Sequence, residues 1–200
     1  MNKILLLFAA AFMLATEAQA QVSYGVKAGL TLPKIAFSGT EEIGVPSTSA
    51  AANFYLTGYA DIPIAPSVAF QPGLSLQGKG VKLDMGALGH EKINLLYLEI
   101  PVNMVYYINA GSGKAFIGAG PYAAIGLSGR DKLLGEKQDV EWGDDGLKRF
   151  DAGINTMLGY KMANGFLINV GYSLGLSDLS KDPDGAAKNR VLSFGIGYQF

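Results

Sequence analysis

The chain contains no cysteine. It can therefore form no disulfide, perform no thiol chemistry and offer no cysteine for a lipid anchor. Histidine is nearly missing too, with His90 the sole example. Charge is scarce: Asp, Glu, Lys and Arg make up 16% of the residues, against ~25% in an ordinary soluble domain. The net charge of −1 leaves no electrostatic footprint for nucleic acid. Past residue 20 no apolar run approaches the ~20 residues of a membrane-spanning helix. Yet 49% of the chain is hydrophobic, so that hydrophobicity must be arranged in another pattern.

One short run stands apart. ILLLFAAAFMLA (4–15) follows Lys3 and precedes Ala18-Gln19-Ala20. A positive start, a short apolar stretch and a small-residue cleavage site read as a secretory signal peptide over 1–20. A single exported domain over 21–200 is expected to follow it, since ~180 residues suit one domain.

In that domain, large apolar residues recur at every second position. In FLINVGYSLGLS (166–177), Phe166, Ile168, Val170, Tyr172, Leu174 and Leu176 alternate with Leu167, Asn169, Gly171, Ser173, Gly175 and Ser177. A period of two places the two sets on opposite faces of a strand. About eleven residues at ~3.3 Å each, tilted about 40°, cover roughly 25–30 Å, the height of a bilayer's hydrocarbon band. The pattern returns in 22–32, 53–62, 67–79, 95–108, 150–162 and the terminal RVLSFGIGYQF; 114–127 is apolar or small on both faces but still reads as a strand. Eight strands result. Three connectors are short, at 63–66, 109–113 and 163–165; four are longer and polar, at 33–51, 80–91, 128–149 and 178–190. Short and long alternate strictly, as an up-and-down barrel with both chain ends on one side requires.

The faces indicate the solvent. Large apolar side chains form one face, while Gly, Ser, Thr, Asn, Gln and a few charges form the other. The second face is too small and polar for an oily core but suits a narrow barrel interior wrapped by lipid. A sheet in lipid cannot leave its edges open. The expected fold is therefore all-β, an eight-stranded antiparallel up-and-down transmembrane β-barrel. Tyr24, Tyr106, Phe116, Phe150, Phe166, Tyr198 and Phe200 lie near strand ends, compatible with aromatic girdles at the two interfaces. A soluble lipocalin-like barrel is the competing architecture.

VSYGVKAGLTLP, YLEIPVNMVYYI, FIGAGPYAAIGL, FDAGINTMLGYKM and VLSFGIGYQF resemble the outer-membrane β-barrel ("porin family", PorT-like) domain common in Bacteroidetes. The strands alone would also fit OmpX- or OmpA-type barrels. The resemblance implies an outer-membrane location and insertion by the barrel-assembly machinery. The terminal Phe200 resembles the C-terminal aromatic that this machinery recognises. An open pore does not follow, because eight strands enclose an interior that side chains can fill.

Chemistry-bearing residues are few. Lys27, Asp61, Lys79, Glu99, Asp151 and Lys161 fall on the inward face, three bases and three acids able to form a plugging network, since buried charges need partners. His90 with Ser75 and Glu91 could be cast as base, nucleophile and acid of a lipid deacylase, but no nucleophile signature accompanies them. Asp178 and DPDG (182–185) offer carboxylates to Ca²⁺ without the rest of a loop motif, and Asp-Pro-Asp-Gly reads as a turn. Trp142 could anchor a partner or pack on the barrel rim. GAG (118–120) and GSGKA (111–115) lack the residues a nucleotide loop needs. No cofactor, metal site or catalytic residue is expected. The expected role is a monomeric, lipid-embedded scaffold with a filled polar interior, structural in the envelope or binding an unknown extracellular ligand through its loops. A narrow solute channel is the alternative, and a lipid-modifying enzyme a more remote one.

Overall fold

The computed structural model describes residues 22–38, 48–50, 52–84, 90–133, 136–139, 148–178 and 186–200. Residues 1–20 thus lie outside it. Ten strands and no helix occur among the described residues: β1 (Ser23–Ser38), β2 (Thr48–Ala50), β3 (Asn53–Ala65), β4 (Val68–Asp84), β5 (His90–Ala110), β6 (Gly113–Leu133), β7 (Glu136–Asp139), β8 (Phe150–Lys161), β9 (Phe166–Gly175) and β10 (Ala186–Gln199). Eight of them form the barrel wall. β1 pairs with β3, then β4, β5, β6, β8, β9 and β10 follow, each antiparallel to the last, and β10 pairs back onto β1. The ring is closed and has no free edge. β2 adds to the far end of β4 and β7 to the far end of β6. Neither short strand is legible in the alternation.

One end of the barrel carries tight turns at 66–67, 111–112 and 163–165. Two of these turns need glycine: Gly111 and Gly165 have φ of 61° and 90°, where a side chain is strained. The first and last strands of the wall meet at the same level, with Tyr24 and Phe200 exchanging backbone hydrogen bonds of 3.2 and 2.8 Å. The opposite end carries the longer connections.

The strands run further toward this loop end than expected. β1 continues to Ser38, β4 to Asp84 and β6 to Leu133, while β5 starts at His90 and β10 at Ala186. The positions 33–38, 80–84, 90–91, 128–133 and 186–190 are therefore strand, not loop. Alternating apolar residues mark only the part of a strand that faces oil; hydrogen-bonded pairing continues past it. β5 and β6 have 21 residues each, about 70 Å of strand at ~3.3 Å per residue, well beyond a hydrocarbon band even when tilted. At the turn end the expected 63–66 connector is also shorter. Pro63 to Ala65 stay in β3, with a bulge between Pro63 and Ala65 that accommodates a proline unable to donate to the ladder.

The outer surface is apolar: Leu30, Phe54, Leu74, Ile100, Leu158 and Ile196 are all more than half exposed. Inward positions are buried, including Thr31, Gln71, Lys79, Glu99 and Asp151. The interior also holds large rings. Tyr59, Val105, Phe116 and Leu167 cluster together, and Leu95, Tyr97, Tyr122 and Ala124 form a second group. Phe116 thus leaves the expected outer girdle and faces inward, its neighbour Ile117 taking the outer surface instead. Tyr24, Tyr106, Phe150, Phe166, Tyr198 and Phe200 remain exposed.

Inward glycines make room for these rings. Gly25 lies opposite Tyr59, Gly159 opposite Phe116 and Gly153 opposite Tyr122. A Cβ at Gly153 would sit 2.7 Å from the Tyr122 ring and collide with the Leu174 carbonyl. Gly153→Val should therefore destabilise the barrel by about 1–3 kcal/mol through overpacking. Urea unfolding in lipid vesicles would measure this, and a loss below about 0.5 kcal/mol would refute the packing argument.

Candidate functional site

The polar interior forms two networks with a small space between them. In the loop-end half, Lys79 on β4 reaches across to β8. Its Nζ is 2.9 Å from Asp151 Oδ2 and 3.1 Å from Glu99 Oε2, with all three side chains buried. Asp151 Oδ2 also accepts from Asn189 Nδ2 at 2.8 Å and Tyr122 OH at 3.3 Å, and its Oδ1 accepts from Ser177 Oγ at 2.8 Å. Glu99 Oε1 accepts from Asn155 Nδ2 at 3.2 Å and Gln77 Nε2 at 3.4 Å. The Lys79 ammonium stands 4.6 Å from the centre of the Tyr122 ring and 5.0 Å from that of Tyr97, close enough for cation–π attraction. Side chains from β4, β5, β6, β8 and β10 thus meet across the lumen.

Toward the turn end, Asp61 is the hub. Its Oδ1 accepts from Gln71 Nε2 at 2.6 Å and Tyr107 OH at 2.9 Å, and its Oδ2 accepts from Gln199 Nε2 at 3.2 Å. Gln199 Nε2 also donates to Ser23 Oγ at 3.0 Å. This ties β1, β3, β4, β5 and β10 together beside the start of β1 and the end of β10.

Between the hubs, Lys27 is buried with its Nζ 4.4 Å from the centre of the Tyr59 ring and 3.6 Å from Met157 Sδ. Thr57 and Ser75 share a 2.6 Å hydroxyl hydrogen bond. A space of about 60 Å³ lies here, lined by Lys27, Thr57, Glu99, Asn103, Asn155 and Asn169. Asn103 Oδ1 and Asn155 Oδ1 are buried without a protein partner. The space has room for a few waters at ~15 Å³ each, beside unpaired acceptors that water can satisfy.

Of the six inward charges named from the sequence, Lys27, Asp61, Lys79, Glu99 and Asp151 are buried; Lys161 is half-buried, its Nζ 4.9 Å from the Tyr107 ring centre. The structure joins Lys79 to Glu99 and Asp151. It brings neither Lys27 nor Lys161 within ion-pair distance of an acid among the described residues. The six therefore do not form one network. Serine, histidine and acid do not converge either. Ser75 is buried inside and pairs in register with Glu99, while His90 begins β5 nine positions away, about 30 Å along a strand. Among the described residues no cluster of metal-ligating side chains occurs. Trp142 and 182–185 lie outside the described residues.

The sequence reading missed Gln71, Tyr107, Asn189 and Gln199, which satisfy the buried carboxylates. Each stands at an inward position of its strand, so parity carried a signal. Which carboxylate each would meet depends on register between strands.

A closed antiparallel barrel that is apolar outside, with ion pairs and amides within, is a transmembrane barrel of the outer-membrane type. The chain belongs to the outer membrane protein beta-barrel domain family, whose model matches residues 17–181. It is therefore an outer-membrane β-barrel protein. No curated protein matches it significantly. Among solved structures it resembles OprG of Pseudomonas aeruginosa, with 14% identity, 90% of this chain and 97% of that one covered, and a TM-score of 0.52. Neisserial surface protein A shows 15% identity over 90% of this chain and 99% of that one, with a TM-score of 0.49. The E. coli outer membrane protein W shows 14% identity over 91% and 100%, with a TM-score of 0.46. At such identities the likeness concerns the fold.

Proposed function

We propose that this protein is a plugged membrane scaffold that displays its loop end outside the cell and passes no solute. The observation that carries this reading is the Lys79–Glu99–Asp151 network, which crosses the lumen from β4 to β8 with its side chains 0–1% exposed. Opening a path there would strip a buried ammonium of its carboxylates, which is strongly disfavoured. The orientation follows the usual rule that tight turns face the periplasm and longer loops the exterior. The rigid wall then positions the loops for binding, and the polar plug and aromatic packing keep that wall rigid. Planar lipid bilayers provide the test. Purified protein should produce no unitary conductance steps; reproducible steps that persist in Lys79→Met and vanish on heat unfolding would establish a narrow channel instead.

A further inference from the structure

The lipid-facing wall is not uniform. Across β8, β9, β10 and β1 it carries an apolar groove of about 670 Å³. Its walls are Leu30, Leu158, Ile168 and Ile196, each more than half exposed. Its floor is low because Ala28 presents only a methyl group and the inward glycines Gly29, Gly159 and Gly195 present only backbone. Membrane lipid covers this surface, so an acyl chain is the occupant of matching chemistry.

A cationic patch stands above the groove on the same strands. Leu30 pairs with Phe194, Leu32 with Leu192 and Lys34 with Arg190. Lys34 therefore lies four residues above the groove wall, about 13 Å along the strand. Thr31, Asn189 and Val191 are buried on the inner side, which places Lys34, Lys188 and Arg190 on the outer one. Lys34 and Arg190 are directly opposed, and like charges in that position repel. None of the three meets an acid among the described residues. β1, β9 and β10 contain no Asp or Glu at all, and Asp178, just past β9, is engaged in a contact of its own. Among the described residues this patch has no counter-ion, and at the edge of the apolar band a lipid headgroup supplies one.

We propose that the β8–β9–β10–β1 face binds a phosphate-bearing outer-leaflet lipid, with an acyl chain in the groove and the phosphate on Lys34, Lys188 and Arg190. The outer-leaflet assignment rests on the orientation given above; the groove and the cations do not. Native mass spectrometry of the protein in detergent micelles tests it with three probes: bis-phosphorylated lipid A, the same lipid A enzymatically dephosphorylated, and inorganic phosphate. Wild type should bind the phosphorylated lipid at least about tenfold more tightly than the dephosphorylated one, since each basic residue at a membrane surface contributes substantially to anionic-lipid affinity. The K34Q/K188Q/R190Q variant, altered only at the rim, should lose that preference while keeping its heat-shifted gel migration. Ala28→Phe, which fills the groove floor, should weaken both lipids alike. Equal affinity of wild type for the two lipids, an unchanged preference in the triple variant, or unchanged lipid affinity in Ala28→Phe would each overturn the proposal. So would full displacement of lipid A by inorganic phosphate. Because micelles impose no sidedness and measure no current, failure here is distinguishable from failure of the conductance test.

Discussion

Replacing Asp151 with alanine should lower the unfolding free energy of the barrel by about 3–5 kcal/mol, the cost of removing one member from a buried, hydrogen-bonded charge network. Asp151 is fully buried and accepts from Lys79, Asn189, Tyr122 and Ser177. Alanine removes every one of those acceptors at once. Lys79 would keep Glu99 alone, and the Asn189 amide would lose its 2.8 Å contact. Asp151→Asn should cost less, because it keeps an oxygen for Lys79 and surrenders only the charge. Urea unfolding in lipid vesicles, followed by heat-shifted gel migration, measures both variants. A loss below about 1 kcal/mol for the alanine variant would show that water enters the lumen and replaces the carboxylate, and the plugged-barrel reading would fail with it.

Ile100→Arg should cost about 2–4 kcal/mol, the penalty for a guanidinium on the lipid face near the bilayer midplane. Ile100 is 54% exposed and sits near the middle of β5. On a wet surface the same change would stay within about 0.5 kcal/mol. The substitution therefore reads the solvent directly. A negligible effect in vesicles would mean that this face meets water, whereas the expected loss would shrink for arginine at the interfacial position Tyr106. Buried lumen and exposed belt thus respond in opposite ways to polarity: the interior is harmed by losing a charge, the exterior by gaining one.

Both effects trace to alternation that is readable along the chain. Ile100 and Glu99 are neighbours in sequence, yet one is more than half exposed and the other fully buried, because successive strand residues point to opposite faces. The same parity located Lys27, Asp61, Lys79, Glu99 and Asp151 inside. It was least informative in β6, where Phe116 and Ile117 are adjacent large apolar residues and either could have faced lipid. Gly159 and Gly153 on the neighbouring β8 decide that case by leaving space inside for Phe116 and Tyr122. Parity was also blind to strand length, since polar ladders beyond the apolar band hydrogen-bond as well as those within it.

By itself, then, the sequence determined that this chain forms strands, that they close, and which side of each faces oil except in β6, because a period of two is a local property of the backbone. Tertiary structure alone decided which inward side chains meet. Lys27, Thr57, Ser75 and Glu99 are successive partners across β1, β3, β4 and β5, and Asp151 finds Lys79 across the lumen. Those meetings depend on register and barrel closure, which add the offsets of eight strands around a ring. The groove beneath Lys34 and Arg190 arises the same way, from small residues of β1, β8 and β10 brought to one level beside β9.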